Sequence, residues 1–403
     1  MDGADRSARP SWSDRLRRDA LAREATAMRR HVRQVQQRDG VFVHVDGRRL
    51  VNFSSNDYLG LAQHLDLTAA LQECAAYSGV GSTASHLVCG HHREHVRLEE
   101  LAAEWQKYPR ALLFGSGYLA NLGVLQALLR DGDLCVQDKL NHACLLDGAR
   151  FSGADLKRYP HLDLDAAQRQ LRTRPDATAL IASDGVFSMD GDLAPLPLLA
   201  LLARSEDALL YIDDAHGVGV IGPYGRGSVA QAGLGVRDVP LQMITLGKAL
   251  GGYGALVLGT EELIEAIAQR ARPYLFTTAL PPALAAASCA AIELVRGESW
   301  RRLKLSALVK RFRRGAAQLG LPLLDSGTPI QPIVLGENQA ALDASIALER
   351  AGFLVAAIRP PTVAPGSARL RVTLSAAHEE TQIDALLDAL EKCCKPRNTA
   401  AAG

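Results

Sequence analysis

An excess of charge of either sign is missing: 45 Lys and Arg against 44 Asp and Glu leave a net +1 over 403 residues. Nothing therefore draws the chain as a whole toward nucleic acid or an anionic membrane, and any basic site must be local. Cys-x-x-Cys spacing is missing too, and the seven cysteines (74, 89, 135, 144, 289, 393, 394) are an odd number. Reduced thiols in a cytoplasmic protein are expected, not a disulfide framework. The first residues are charged where a secretory signal would be apolar. The most apolar stretch, 282–295, is short, Ala-rich and interrupted by Glu293. It fits a buried helix, and no membrane span is expected. An early Gly-x-Gly-x-x-Gly with an acidic partner is absent, which argues against a nicotinamide enzyme. His91-His-Arg-Glu-His95 places His91 and His95 on one helix face, but lacks the glutamate that follows the first histidine of zinc proteases. With no third ligand identifiable, the reading is a surface or interface helix and no metal.

The composition is ordinary for a globular enzyme, 48% hydrophobic and 22% charged, and the length suggests a large domain with a smaller companion. Residues 11–38 carry Leu16, Leu21, Ala25 and Met28 at helical spacing among arginines, which predicts an amphipathic leading helix. Residues 41–51 alternate around Asp46-Gly47 and read as a hairpin. From about 65 to 290, helical stretches alternate with apolar runs at 134–136, 179–182, 208–212, 243–245 and 255–258. That alternation predicts an α/β fold with a mostly parallel sheet covered by helices, in which ligands sit beyond the carboxyl ends of the strands. A basic helix at 301–319, strands at 330–335, 353–358 and 369–374 and a helix near 381–392 predict a small α+β domain. The expected division is an arm at 1–60, a large domain at 61–294 and a small domain at 295–403 with a flexible tail after Lys395.

The chemistry concentrates at strand ends. Leu210-Tyr-Ile-Asp-Asp-Ala-His-Gly217 ends an apolar run on Asp213, and Lys248 follows in Met243-Ile-Thr-Leu-Gly-Lys248-Ala-Leu-Gly-Gly252. An amine that must bond to an aldehyde has to shed its proton near neutral pH, whereas a pyridine nitrogen that must keep its proton needs a carboxylate beside it. Both are offered, and the pairing points to pyridoxal phosphate. Gly115-Ser-Gly117-Tyr-Leu-Ala-Asn121 leads glycines into a helical pattern, a start suited to phosphate. His142 could stack on a planar ring, His216 could reach a ring hydroxyl, and Ser188 and Thr245 could add hydrogen bonds. Each also has a plain alternative, namely packing or capping for the histidines and turn formation for the serine.

Together with Asn52-Phe-Ser-Ser-Asn-Asp-Tyr-Leu-Gly-Leu61, Asp184-Gly-Val-Phe-Ser-Met-Asp-Gly-Asp192 and Ile358-Arg-Pro-Pro-Thr-Val363, these segments resemble the α-oxoamine synthases, a fold-type-I pyridoxal phosphate family, over roughly residues 11–392. Arg359-Pro-Pro-Thr362, Ala368-Arg-Leu-Arg371 and Ser85-His-Leu-Val-Cys-Gly90 look like the biotin-synthesis branch, not the glycine acetyltransferase, aminolevulinate synthase or serine palmitoyltransferase branches. The resemblance implies Lys248 as the lysine that carries the cofactor, Gly117 and Tyr118 by the phosphate, and His142 on the ring. Asp213, Ser188, His216 and Thr245 complete the cofactor site. Asn52 and Arg359 would hold an amino acid carboxylate, while Thr362 and Arg29, with Arg30 as the alternative, would meet the acyl substrate. It further implies L-alanine and pimeloyl-CoA or pimeloyl-acyl carrier protein as substrates, and a homodimer in which 276–278 reach the partner's phosphate. Asp184 stands where a glutamate is common. The competing readings are a sibling using glycine or serine, and a non-catalytic subunit of the same fold.

Overall fold

A computed structural model describes residues 9 and 11–394; the tail after Lys395 lies outside them. The leading helix spans only Trp12–Ala25, opened by Ser11, whose hydroxyl accepts from the Asp14 amide, and none of its residues is buried. The expected helix over 11–38 is therefore too long, and its apolar stripe meets no core. After a left-handed turn at Ala27 (φ 53°) the chain runs into a strand, β1 (Val35–Asp39), exposed along its whole length. β2 (Phe42–Val45) and β3 (Arg48–Asn52) form the expected hairpin, with Asp46 and Gly47 at φ 51° and 74°, as a tight two-residue turn requires.

The central sheet has seven strands: β4 (Arg110–Phe114), β5 (Leu134–Asp138), β6 (Asp155–Tyr159), β7 (Ala179–Asp184), β8 (Leu209–Asp213), β9 (Leu241–Thr245) and β10 (Ala255–Gly259). Their order is β4-β10-β9-β8-β7-β5-β6, and β10 alone runs against its two neighbours. β5, β7, β9 and β10 are buried throughout, which is why they appear as unbroken apolar runs. β4 and β6 were not anticipated as strands. β6 lies at the edge, and its Asp-Leu-Lys-Arg sequence is only partly covered. Ten residues of the helix Pro282–Gly297 are buried, as its composition requires.

A second sheet pairs β11 (Ile330–Gly336) with β14 (Ala368–Thr373) and that with β13 (Ala356–Ile358), while β12 (Phe353–Leu354) joins β3 in the arm sheet. The helices Ser299–Gln318 and Glu380–Cys394 pack on each other and share one apolar core with β10 and β11. Arg369 reaches Asp190 at 2.6 Å, and Arg371 donates to the Ser188 carbonyl at 2.7 Å. These contacts tie the C-terminal layer to the loop that follows β7. Among the described residues, no helix is long and apolar enough to cross a membrane.

Candidate active site

β7, β8 and β9 are parallel neighbours, so Asp184, Asp213 and Thr245 end side by side on the carboxyl edge of the sheet. A cavity opens there, lined by Gly117, Tyr118, Asn121, His142, Cys144, Asp184, Ser188, Asp213, Ala215, His216, Met243, Thr245 and Lys248. Eight sequence-predicted residues (Gly117, Tyr118, His142, Ser188, Asp213, His216, Thr245 and Lys248) are thus brought together from five separate segments.

Asp213 is buried; one of its oxygens accepts from the Ala215 amide at 3.0 Å, the other from the Asn121 side chain at 2.6 Å. Lys248 Nζ lies 2.8 Å from His216 Nε2, and His216 Nδ1 lies 2.6 Å from the Tyr58 hydroxyl. Part of the Lys248 side chain stays accessible through the cavity. Even so, burial pushes its amine down to about 8, against the pull of Asp213 and Asp184 in the other direction. Burial holds His216 well below the usual histidine range, and the Lys248 charge adds to that. The His142 ring is open to the cavity, yet desolvation still lowers its pKa, opposed by Asp213. Asp184 is raised well above the carboxylate range by burial and then by Asp213; one oxygen accepts from the His142 amide at 3.2 Å and the other has no partner among the described residues. Gly117 begins the helix Gly117–Leu128, and a Cβ there would stand 3.3 Å from the Met243 methyl. Thr245 donates to the Gly254 carbonyl at 3.2 Å, which fixes its hydroxyl at the turn into the Lys248 loop.

Of the residues expected to meet substrate, His142 is part of this lining and Arg29, Asn52, Arg359 and Thr362 are not. Asn52 accepts from the Ser54 amide at 2.9 Å and faces a neighbouring recess. The Arg359 guanidinium donates to the Ala27 and Arg29 carbonyls. Thr362 accepts from Arg30 at 3.2 Å, whereas Arg29 pairs with Glu24 at 3.3 Å. Of the two arginines, it is Arg30 that the fold brings to Thr362, because the turn at Ala27 sets the register that follows.

Six residues of the site were not among the predicted site residues: Tyr58, Asn121, Cys144, Asp184, Ala215 and Met243. Asn121 had a legible signal, since it stands four positions after Gly117 and so on the same helix face. His91 and His95 need correction. His95 is fully buried, accepting from the His92 amide at 3.0 Å and meeting the Leu280 carbonyl at 2.6 Å, so its helix is more than a surface feature. His86 lies beside them, its Nδ1 2.8 Å from His91 Nδ1. Both ring nitrogens of His95 are already engaged, and desolvation holds it down to about 4.

The residues present fit pyridoxal phosphate. An amine poised near neutrality, a buried carboxylate, a helix start with close backbone approach and a half-satisfied buried acid surround one cavity. Fold and site together define a fold-type-I pyridoxal phosphate enzyme. The chain belongs to the aminotransferase class I and II family, whose model matches residues 48–390. It is 58% identical to 8-amino-7-oxononanoate synthase from Xanthomonas campestris pv. campestris strain B100, over 387 residues that cover 95% of this chain and 96% of the relative. Among solved structures, serine palmitoyltransferase from Sphingomonas wittichii superposes with a TM-score of 0.90 at 28% identity, covering 96% of this chain and 98% of that one. The crystal structure of 8-amino-7-oxononanoate synthase from Francisella tularensis gives 0.75 at 31% identity, covering 85% and 97%.

Proposed function

We propose that the chain joins L-alanine to a pimeloyl thioester, giving 8-amino-7-oxononanoate, carbon dioxide and a free thiol, as a step of biotin synthesis. The observation that carries this reading is the 58% identity over 95% of the chain to an enzyme of that name. Serine palmitoyltransferase, 28% identical, superposes with a TM-score of 0.90 against 0.75 for the Francisella 8-amino-7-oxononanoate synthase, so backbone shape marks the family and sequence identity marks the branch.

In the reaction a bond forms between the alanine α-carbon and the thioester carbonyl carbon, the carbon–sulfur bond breaks, and the alanine carboxylate leaves as carbon dioxide. Bound pyridoxal phosphate supplies the electron sink for the α-carbon. Lys248 would carry the cofactor, and its amine would take the α-proton and return one to that carbon after carbon dioxide leaves; an amine near 8 can serve as a base at physiological pH. His216, 2.8 Å from that amine, orients it. Asp213 keeps a proton on the ring nitrogen. Gly117 and Tyr118 would meet the phosphate through the helix start, Thr245 would add a hydrogen bond to it, and Ser188 would add one at the ring. His142 covers the ring and polarises the thioester carbonyl. Asn52 and Arg359 take the alanine carboxylate, and Thr362 with Arg30 takes the far end of the acyl chain. The protein works in the cytoplasm as a homodimer, with exposed Phe276 at the contact, and its division at about residues 60 and 294 separates arm, cofactor domain and small domain.

Incubating the purified protein with L-alanine, glycine or L-serine and either pimeloyl-CoA or pimeloyl-acyl carrier protein tests the reading. A product with the mass of 8-amino-7-oxononanoate and matching carbon dioxide are expected with alanine alone. Preference for glycine or serine would move the chain to a sibling branch, and no turnover with any pair would sink the enzymatic reading.

A further inference from the structure

Asn121 takes no part in the roles described above, yet it is fully buried at the centre of the cavity floor. Its side-chain amide donates to Asp213 at 2.6 Å and reaches Cys144 Sγ at 2.9 Å, while its oxygen accepts from the Tyr211 hydroxyl at 2.5 Å. Cys144 Sγ in turn lies 2.8 Å from His142 Nδ1. Tyr211 is two residues before Asp213 on β8, so both side chains leave the same face of the strand. The orientation of the amide follows from its neighbours. An ionised carboxylate can only accept, so the NH2 end must face Asp213. Burial raises the Tyr211 hydroxyl well above its ordinary range, so it stays protonated and donates to the oxygen end.

We propose that Asn121, locked by Tyr211, is the positioning residue that sets the plane of the Asp213 carboxylate and, through Cys144, the seat of His142. With the Ala215 amide on one oxygen and Asn121 on the other, Asp213 cannot rotate. Its remaining acceptor capacity is kept for a ring N–H. A carboxylate free to turn would bind that N–H less tightly and hold its proton to a lower pH. The inference rests on the pyridoxal phosphate reading but not on which amino acid or acyl group is used.

The test therefore uses no acyl substrate. Cofactor-free protein is titrated with pyridoxal phosphate, the visible absorbance of the loaded protein is followed against pH, and thermal unfolding of the cofactor-free form is recorded for the parent, Asn121→Leu, Asn121→Asp and Tyr211→Phe. Asn121→Leu is expected to raise the cofactor Kd about tenfold or more, the loss of one hydrogen bond to a charged group. It should also shift the absorbance transition to lower pH. Asn121→Asp sets a second carboxyl against Asp213, and the two share one proton; its Kd should recover toward the parent value as pH falls. Tyr211→Phe should move the same readouts in the direction of Asn121→Leu by about twofold to fivefold, and stands in should Asn121→Leu fail to fold. A merely structural asparagine would lower the unfolding temperature and leave the Kd within about twofold, with the pH profile unmoved; that pattern overturns the proposal. Failure of the parent to bind pyridoxal phosphate at all would instead sink the cofactor reading.

Discussion

The cavity at the strand ends and the segments that carry Arg30, Arg359 and Thr362 hold their side chains by opposite means. On the floor, Asp213 and His216 are buried, and with Lys248 each has a named partner within 3 Å. In those segments, Arg30 and Thr362 are exposed, and the Arg359 guanidinium donates to backbone carbonyls of the leading segment. The difference separates two tasks. Groups that move protons must have their pKa set before substrate arrives, which takes desolvation and fixed neighbours. Groups that catch a carboxylate need only be available, since a guanidinium can exchange a neutral carbonyl for a stronger, charged partner.

That contrast breaks most readily at Lys248. Lys248→Ala should lower turnover by about a thousandfold or more and abolish the visible absorbance of the loaded protein; coloured protein with ordinary activity would place the chemistry elsewhere. Asp213→Asn keeps the shape and removes the charge. Its kcat should fall about a hundredfold, measured by carbon dioxide release, while KM for alanine moves little. A change confined to KM would mean that the floor binds substrate and does not tune it.

The desolvated amine also has a cost in stability that can be read without substrate. Lys248 is lowered from 10.5 to about 8 on folding, so between those values the unfolded chain holds a proton that the folded one has released. Stability of the cofactor-free protein therefore rises with pH from about 8 to 10.5 and is at its lowest, as far as this group is concerned, below that window. Lys248→Met should relieve a penalty of about 2–3 kcal/mol at neutral pH and flatten the difference between variant and parent above the window. Denaturant unfolding at several pH values checks it. Equal stability of the two proteins at pH 7 would mean that water reaches the amine.

How much of this was legible in the sequence follows the same contrast. Lys248 and Asp213 could be located because the apolar runs before them are strands buried on both faces, and such strands end where ligands bind. β1 could not be told from a helix, since Val-Gln-Gln-Arg-Asp is exposed at every position and carries no period. β6 was hidden for a similar reason at the sheet edge. His95 was misjudged because its partner, the carbonyl of Leu280, is 185 residues away, and no local pattern reports such a contact. Asn121 stood in the Gly115–Asn121 motif without a role, although its spacing from Gly117 placed it on the same helix face.

Arg359, Arg30 and Arg29 offer the milder tests. Arg359→Ala should raise KM for alanine about tenfold to a hundredfold, the worth of a charged hydrogen bond to a carboxylate, with kcat reduced less. An unchanged KM would leave the Arg359 contacts to the leading segment as a purely structural tether. Between the two arginines of that segment the expected effects are smaller and differ from each other. Arg30 reaches the Thr362 hydroxyl, whereas Arg29 is spent on an exposed pair with Glu24, and such pairs contribute little. Arg30→Ala should therefore raise KM for the pimeloyl thioester by about threefold to tenfold while Arg29→Ala leaves it as it is. The reverse order would show that the register set at Ala27 changes when substrate or a second subunit is present, since only a shift of the segment after that turn exchanges the two side chains.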